Sequence, residues 1–277
     1  MWSKVAIRVI SAQIGAALVI AIIFSETVYF NILVCSAGLI AMHELYNSFS
    51  EQKKWPVIIL GYLFAVVIMS SLFIPGFELF GTSKVLYLLM FYIMLVSICA
   101  VIFHEKIKFN DVLTSFFTLV YSVVFVCHLS LIHSMTHGFI LIFIPLICAW
   151  MTDTFAYIGG MTLGKHKLIP KVSPNKTVEG AVSGVLGCIL SSLLFAYIIS
   201  FFGFKANLIP LCFISLICSI LSQFGDLTAS LIKRECGVKD FGNLIPGHGG
   251  ILDRIDSLIF ITPAIYYFLQ IFEVIYK

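Results

Sequence analysis

Apolar residues fill this chain in long blocks, and the polar residues between them gather in short charged clusters. A helix that crosses a bilayer needs about 20 mostly apolar residues. Blocks of that kind lie near residues 9–24, 27–45, 55–74, 85–103, 112–132, 138–160, 180–203, 207–228 and 257–276. The pattern predicts an all-α, polytopic integral membrane helical bundle of about nine transmembrane helices. The turn around Ser25–Glu26 between the first two blocks is so short that a hairpin there would change the count.

Composition agrees with this reading. Of 277 residues, 60% are hydrophobic and 11% charged, and the mean hydropathy is +1.07. Soluble domains carry about 25% charged residues, so this chain lacks the polar surface a water-facing fold needs. No small-residue cleavage site follows the first block, which reads as a retained span. A net charge of +3 is too small to imply a nucleic-acid partner. Its placement is more informative. Lys4, Arg8, Lys53, Lys54, Lys106, Lys108, Lys165, Lys167, Lys171, Lys176, Lys233, Arg234, Lys239 and Arg254 fall on one side of the alternating connections. Lys84, Lys205 and Lys277 alone fall on the other. The positive-inside bias predicts a cytoplasmic amino terminus and cytoplasmic even-numbered connections.

The connections are short, which leaves no room for a separate soluble domain. Residues 1–135 read as scaffold spans and 136–277 as the region that carries the chemistry. His43 and Glu44, near the inner end of the second block, could touch a site but read better as interfacial residues. His128, His133 and His137 read as a polar outer rim, since no carboxylate or cysteine joins them as a metal set. Seven of eight cysteines sit in apolar blocks without a CxxC pair, as small hydrophobes do.

Ionisable groups in a span cost about 2.5–3.5 kcal/mol each on insertion scales and mark functional sites. Three clusters stand out. In "WMTDTFAYIGG", 150–160, Asp153 interrupts an apolar run and shares a helical face with Tyr157; it reads as a site residue or as an acid paired to a neighbouring helix. In "LGKHKLIPKVSPNKTVEGAVSG", 163–184, Ser173 before Pro174 suggests a helix N-cap. Lys176 and Thr177 at such a helix start would suit a phosphate, and Glu179 a lysine or a sugar hydroxyl. Gly180, Gly184 and Gly187 suggest a close-packing face. In the third cluster, Gln223, Asp226, Ser230 and Lys233 form one polar stripe, and Asp253 and Asp256 open the last span. If those helices adjoin, the three aspartates make an all-oxygen site of the kind Mg²⁺ prefers. Lys233, Arg234, Lys239 and Arg254 surround it, a combination that neutralises polyphosphate during transfer. His248, in a glycine-rich turn, reads as a base or a phosphate donor.

The segment "SLIKRECGVKDFGNLIPGHGGILDRID", Ser230 to Asp256, resembles the phosphatidate cytidylyltransferase (CDP-diacylglycerol synthase) family. It follows that family's pattern S-x2-K-R-x4-K-D-x-G-x2-I-P-x-H-G-G-x2-D-R-x-D without departure. "QFGDL", "SPNKTVEG" and "DTFAYIGG" are similar as well, so the resemblance covers about residues 150–257. It implies CTP + phosphatidate → CDP-diacylglycerol + pyrophosphate, a nucleotidyl transfer at the cytoplasmic face of the cell (inner) membrane. It also implies Mg²⁺, with K⁺ as a second cation, and a homodimer. Asp226, Asp253 and Asp256 would hold the metal; Lys176, Lys233, Arg234, Lys239 and Arg254 would bind phosphates, with Lys239 nearest the chemistry. Asp153, Ser173, Thr177, Glu179, Ser230 and His248 complete the expected substrate contacts. Two rival classes fit less well. CDP-alcohol phosphotransferases carry DG-x2-AR-x8-G-x3-D-x3-D, whereas this chain has D-x2-D. A transporter would spread its charges near the midplane of repeated halves.

Overall fold

The computed structural model describes residues 13, 15, 17–49, 54–80, 83–244 and 249–277. Lys4, Arg8, Lys53, His248 and part of the first apolar block lie outside the described residues; residues 17–23 of that block are helical. The chain forms two compact units. One comprises the described residues of Met1–Leu131 with Val238–Arg254, the other Ile132–Gly237 with Ile255–Lys277.

The first unit holds α1 (Thr27–Phe49), α2 (Trp55–Ser70), α3 (Lys84–Ile102), α4 (Phe109–Leu119) and most of α5 (Phe125–His133), with a π-helical turn at Val120–Val124 joining α4 to α5. Pro56 sits in the first turn of α2, where its missing N–H leaves no hydrogen bond unmade. Asp111 caps α4 by accepting the Lys108 N–H at 2.7 Å. The interior is apolar, built on Met42, Phe64, Ile68, Val96 and Leu119. Ser115 is its polar pin, bonded to the hydroxyls of Tyr46 at 2.8 Å and Tyr92 at 2.5 Å. Three buried hydroxyls thereby satisfy one another where water is absent.

The second unit holds α6 (Gly138–Leu141), α7 (Phe143–Leu163), α8 (Val178–Ser200), α9 (Leu208–Glu235) and the body of α10 (Leu252–Ile271). Two short antiparallel strand pairs, unforeseen from the sequence, join it: the hairpin of β1 (Lys167–Ile169) with β2 (Ser173–Thr177), and the long-range pair of β3 (Lys205–Ala206) with β4 (Ile275–Tyr276).

Among the described residues, six helical stretches are long and apolar enough to cross a membrane: Thr27–Phe49, Lys84–Ile102, Phe109–His133, Gly138–Leu163, Val178–Ser200 and Leu208–Glu235. Trp55–Ser70 is apolar but has 16 residues, and α10 opens with the charged Asp253, Arg254 and Asp256. Leu86, Met90, Met94 and Ile98 of α3 are all more than half exposed. Such a continuous apolar outer face suits lipid rather than water. The chain is a multi-pass, all-α membrane protein.

Three local expectations change. Ser173 is not a helix N-cap but the first residue of β2. Pro174 suits a two-stranded ribbon, where one edge needs no donor. The cap is Thr177, whose Oγ1 accepts the Gly180 N–H at 3.1 Å. His128 and His133 are buried rather than part of an outer rim. His128 donates from Nδ1 to the Val124 carbonyl at 2.8 Å and lies edge-on to Phe80. Glu44 is likewise buried, not interfacial.

Candidate active site

The site in the second unit begins with how closely α7 and α8 approach. A Cβ on Gly180 would lie 2.7 Å from the Ala156 carbonyl oxygen, and one on Gly184 2.9 Å from that of Thr152. A Cβ on Gly187 would overlap the ring of Phe155, and one on Gly159 of α7 would overlap Ser183 of α8. Only hydrogen fits at these positions, so the predicted small-residue face of α8 is met by a glycine on the facing helix. Apolar surface gives little drive for helix association in lipid, and this close backbone packing supplies it.

The seam places the β1–β2 hairpin against the start of α8. Glu179 fixes that hairpin. Its Oε2 accepts the backbone N–H groups of Lys165 (3.0 Å) and His166 (3.2 Å), and its Oε1 meets His166 Nδ1 at 2.6 Å. Glu179 therefore braces the backbone and an imidazole rather than a lysine side chain. As an acid in the first turn of α8 it also suits the helix dipole. Glu179→Gln should speed amide exchange at Lys165 and His166 by several-fold, with α9 unchanged, in hydrogen-exchange mass spectrometry.

Beside the hairpin lies a cavity of about 390 Å³, within the range of small-molecule sites. Asp153, Asn175, Lys176, Thr177, Gln223 and Asp226 supply its polar lining; Tyr157, Met161 and Leu168 supply apolar wall. Lys176 forms a half-buried ion pair with Asp226. Asp153 lies close enough to Asp226 and Lys176 to interact with both. Asp256 interacts in the same way with Asp226, Asp153 and Lys233. Three of the four residues of the predicted stripe on α9 are thus engaged. Gln223 donates to the Ala181 carbonyl at 3.2 Å, Asp226 meets Lys176, and Lys233 lies within electrostatic reach of Asp256. Gly225 lets α9 approach α10 at this level: a Cβ there would lie 2.8 Å from Phe260 Cβ and 3.0 Å from the Asp256 carbonyl oxygen. Ser230 continues the stripe half-buried, and Arg234 is exposed in the last turn of α9.

Three carboxylates beside two lysines make the site acid-rich, a balance that a cation or a proton on one of the acids would even out. Among the described residues no three His, Cys, Asp or Glu side chains close into a ready-made metal cage. Asp153, Asp226 and Asp256 supply carboxylate oxygens, the donor type of which a hard ion such as Mg²⁺ takes one or two, completing its shell with phosphate oxygens and water.

Asp253, Lys239 and Arg254 belong to the first unit. Asp253 Oδ2 accepts the N–H groups of Phe241 (2.9 Å) and Gly250 (3.0 Å), pinning two points of the glycine-rich segment. Lys239 and Arg254 are exposed. Glu44 of α1 accepts the N–H groups of Ile251 (3.0 Å) and Leu252 (2.8 Å) at the start of α10. Nothing in the sequence pairs Glu44 with that segment. Its one signal is an acid inside "LIAMHELY", an apolar run where charge is unfavourable.

The sequence profile of the cytidylyltransferase family matches residues 6–272. A phosphatidate cytidylyltransferase of Bacillus subtilis (strain 168) is 32% identical over 273 residues, 96% of this chain and 98% of that protein. Phosphatidate cytidylyltransferases of Staphylococcus haemolyticus (strain JCSC1435) and Staphylococcus aureus (strain COL) are 45% and 46% identical over 119 residues. Those two matches cover 43% of this chain and 45% of each relative. Similarity therefore reaches well beyond residues 150–257 and includes the N-terminal spans. A cavity lined by acids and a lysine, set among apolar helices, is consistent with the profile's extent: the chain belongs to the cytidylyltransferase family.

Proposed function

We propose that this protein transfers the cytidylyl group of CTP to phosphatidate, releasing pyrophosphate, at the cytoplasmic face of the membrane. The observation that carries the reading is the cavity of about 390 Å³ in which Lys176 and Asp226 meet beside Asp153. Full-length similarity to the Bacillus subtilis enzyme supports the choice of lipid substrate. The bias of Lys and Arg towards even-numbered connections supports the choice of face.

In this reaction a phosphate oxygen of the lipid attacks the α-phosphorus of CTP. The bond from that phosphorus to the bridging oxygen breaks, and pyrophosphate leaves with the electron pair. A phosphate monoester is already an anionic nucleophile, so no strong general base is required. The difficulty is bringing two anions together. Lys176 and Lys233 lower that repulsion, and Asp226 holds the Lys176 ammonium in place. Asp226 and Asp256, with Asp153 beside them, are the side chains that would hold Mg²⁺, which when bound neutralises polyphosphate charge. Tyr157, Met161 and Leu168 give the cavity an apolar flank suited to a lipid substrate.

The test is direct. Purified protein in detergent with labelled CTP, Mg²⁺ and phosphatidate should yield a CDP-lipid, and chelation with EDTA should stop turnover until Mg²⁺ is restored. Absence of product across a range of lipids and ions would overturn the assignment. Undiminished turnover in EDTA would overturn the metal's part in it.

A further inference from the structure

We infer that Glu44 is a positioning residue for nucleotidyl transfer, holding the entry of α10 from a helix some 200 residues earlier in the chain; this rests on the function proposed above. A carboxylate inside an apolar run is unfavourable unless its lone pairs are used. Here both oxygens are used. Oε1 accepts the Ile251 N–H at 3.0 Å and Oε2 the Leu252 N–H at 2.8 Å, and the residue is 5% exposed. These are N–H groups at the start of α10, where no intrahelical acceptor exists and the helix dipole favours an anion.

The surrounding glycines are shaped to this carboxylate. A Cβ on Gly250 would overlap Glu44 Oε1, and a Cβ on Gly242 would overlap the same oxygen with Cδ 2.9 Å away. Gly249, at φ +82°, is in the left-handed region. These three glycines belong to the segment that carries the sequence signature, and for two of them the reason is steric room for Glu44. Asp253 completes the arrangement by accepting from Phe241 and Gly250. Two acids thus fix the Phe241–Gly242 and Gly249–Leu252 ends of the segment, one from within it and one from α1. Leu252 opens the helix that carries Asp256. A loosened entry would move that side chain, and a misplacement of about 1 Å costs about 10²-fold in rate.

Glu44→Ala, Glu44→Gln and Gly250→Ala, made in the full chain in detergent, test this. In Glu44→Ala the amides of residues 249–253 should exchange at least about tenfold faster, while α3 and α8 keep wild-type protection. Its kcat should fall about 10²-fold with KM for CTP within about threefold. Glu44→Gln keeps one acceptor oxygen and should recover about tenfold of that loss, and Gly250→Ala should reproduce the Glu44→Ala pattern. Wild-type exchange at 249–253 in Glu44→Ala would overturn the inference. So would exchange that rises evenly across the protein, the mark of a general packing role. If Glu44→Ala does not fold, Glu44→Gln and Gly250→Ala carry the same comparison. An inactive wild-type protein would overturn the proposed function, and local exchange would still report on Glu44.

Discussion

Asp226→Asn should reduce CDP-lipid formation by about 10³-fold while leaving the protein folded, because the change removes charge without changing shape. Asp226 is the acid that the others share: it pairs with Lys176 and interacts with both Asp153 and Asp256. An amide in its place frees the Lys176 ammonium to swing away, and the Mg²⁺ proposed above would lose an anionic oxygen donor. Groups aimed at developing charge contribute about 10²–10³ each in other enzymes, and one that would serve both a lysine and the proposed metal belongs at the upper end. Initial rates with labelled CTP, beside thermal unfolding in detergent, separate the two effects. The expected outcome is a lost rate with an unfolding midpoint within a few degrees of wild type. A wild-type rate would remove Asp226 from the reacting centre. Lys176→Met supplies the partner test. If the pair acts as a unit, Asp226→Asn with Lys176→Met should be scarcely worse than the poorer single variant.

Why the surroundings of Asp226 were legible in the sequence and the partners of Glu44 were not follows from the range of the interactions. Asp226 lies on a stripe with Gln223, Ser230 and Lys233, and helical periodicity alone places those four side chains on one face. The apolar blocks needed only the thickness of a bilayer to be recognised, and the glycines of α8 only their spacing. Glu44 acts on backbone groups of residues 251 and 252, and no local rule connects positions so far apart. The hairpin at 167–177 was hidden for a different reason. Ser173-Pro174 satisfies the chemistry of a helix start as well as that of a ribbon edge. The decision fell to Thr177, which caps α8, and to Glu179, which ties the lead-in to the first strand of the ribbon to it. Asp253 shows the same limit. Its type and spacing suit a metal ligand, yet one of its oxygens serves two backbone N–H groups of its own segment.

Gly184→Leu should unfold or severely destabilise the second unit, and the reason is backbone rather than side chain. At Gly184 an added Cβ meets the Thr152 carbonyl oxygen at 2.9 Å and Ala156 Cβ at 3.1 Å. A carbonyl in a helix cannot rotate aside, so α7 and α8 must separate. Overpacking of this kind costs about 1–3 kcal/mol, and a branched side chain against two rigid backbones lies at the top of that range. Separation also carries Asp153 of α7 away from Lys176, which enters the cavity beside the start of α8. Stability and turnover should therefore fall together, in contrast to Asp226→Asn, where turnover alone falls. Gly184→Ala, with a single methyl, should show a smaller loss of both. Gly187→Ala would set its methyl in overlap with Phe155 Cβ, an atom that no rotation of the ring can move, and should be tolerated less well than Gly184→Ala. Thermal unfolding of the four variants in detergent, read beside their CTP turnover, provides the ranking. A Gly184→Leu protein as stable as wild type would show that the seam does not hold the two helices together.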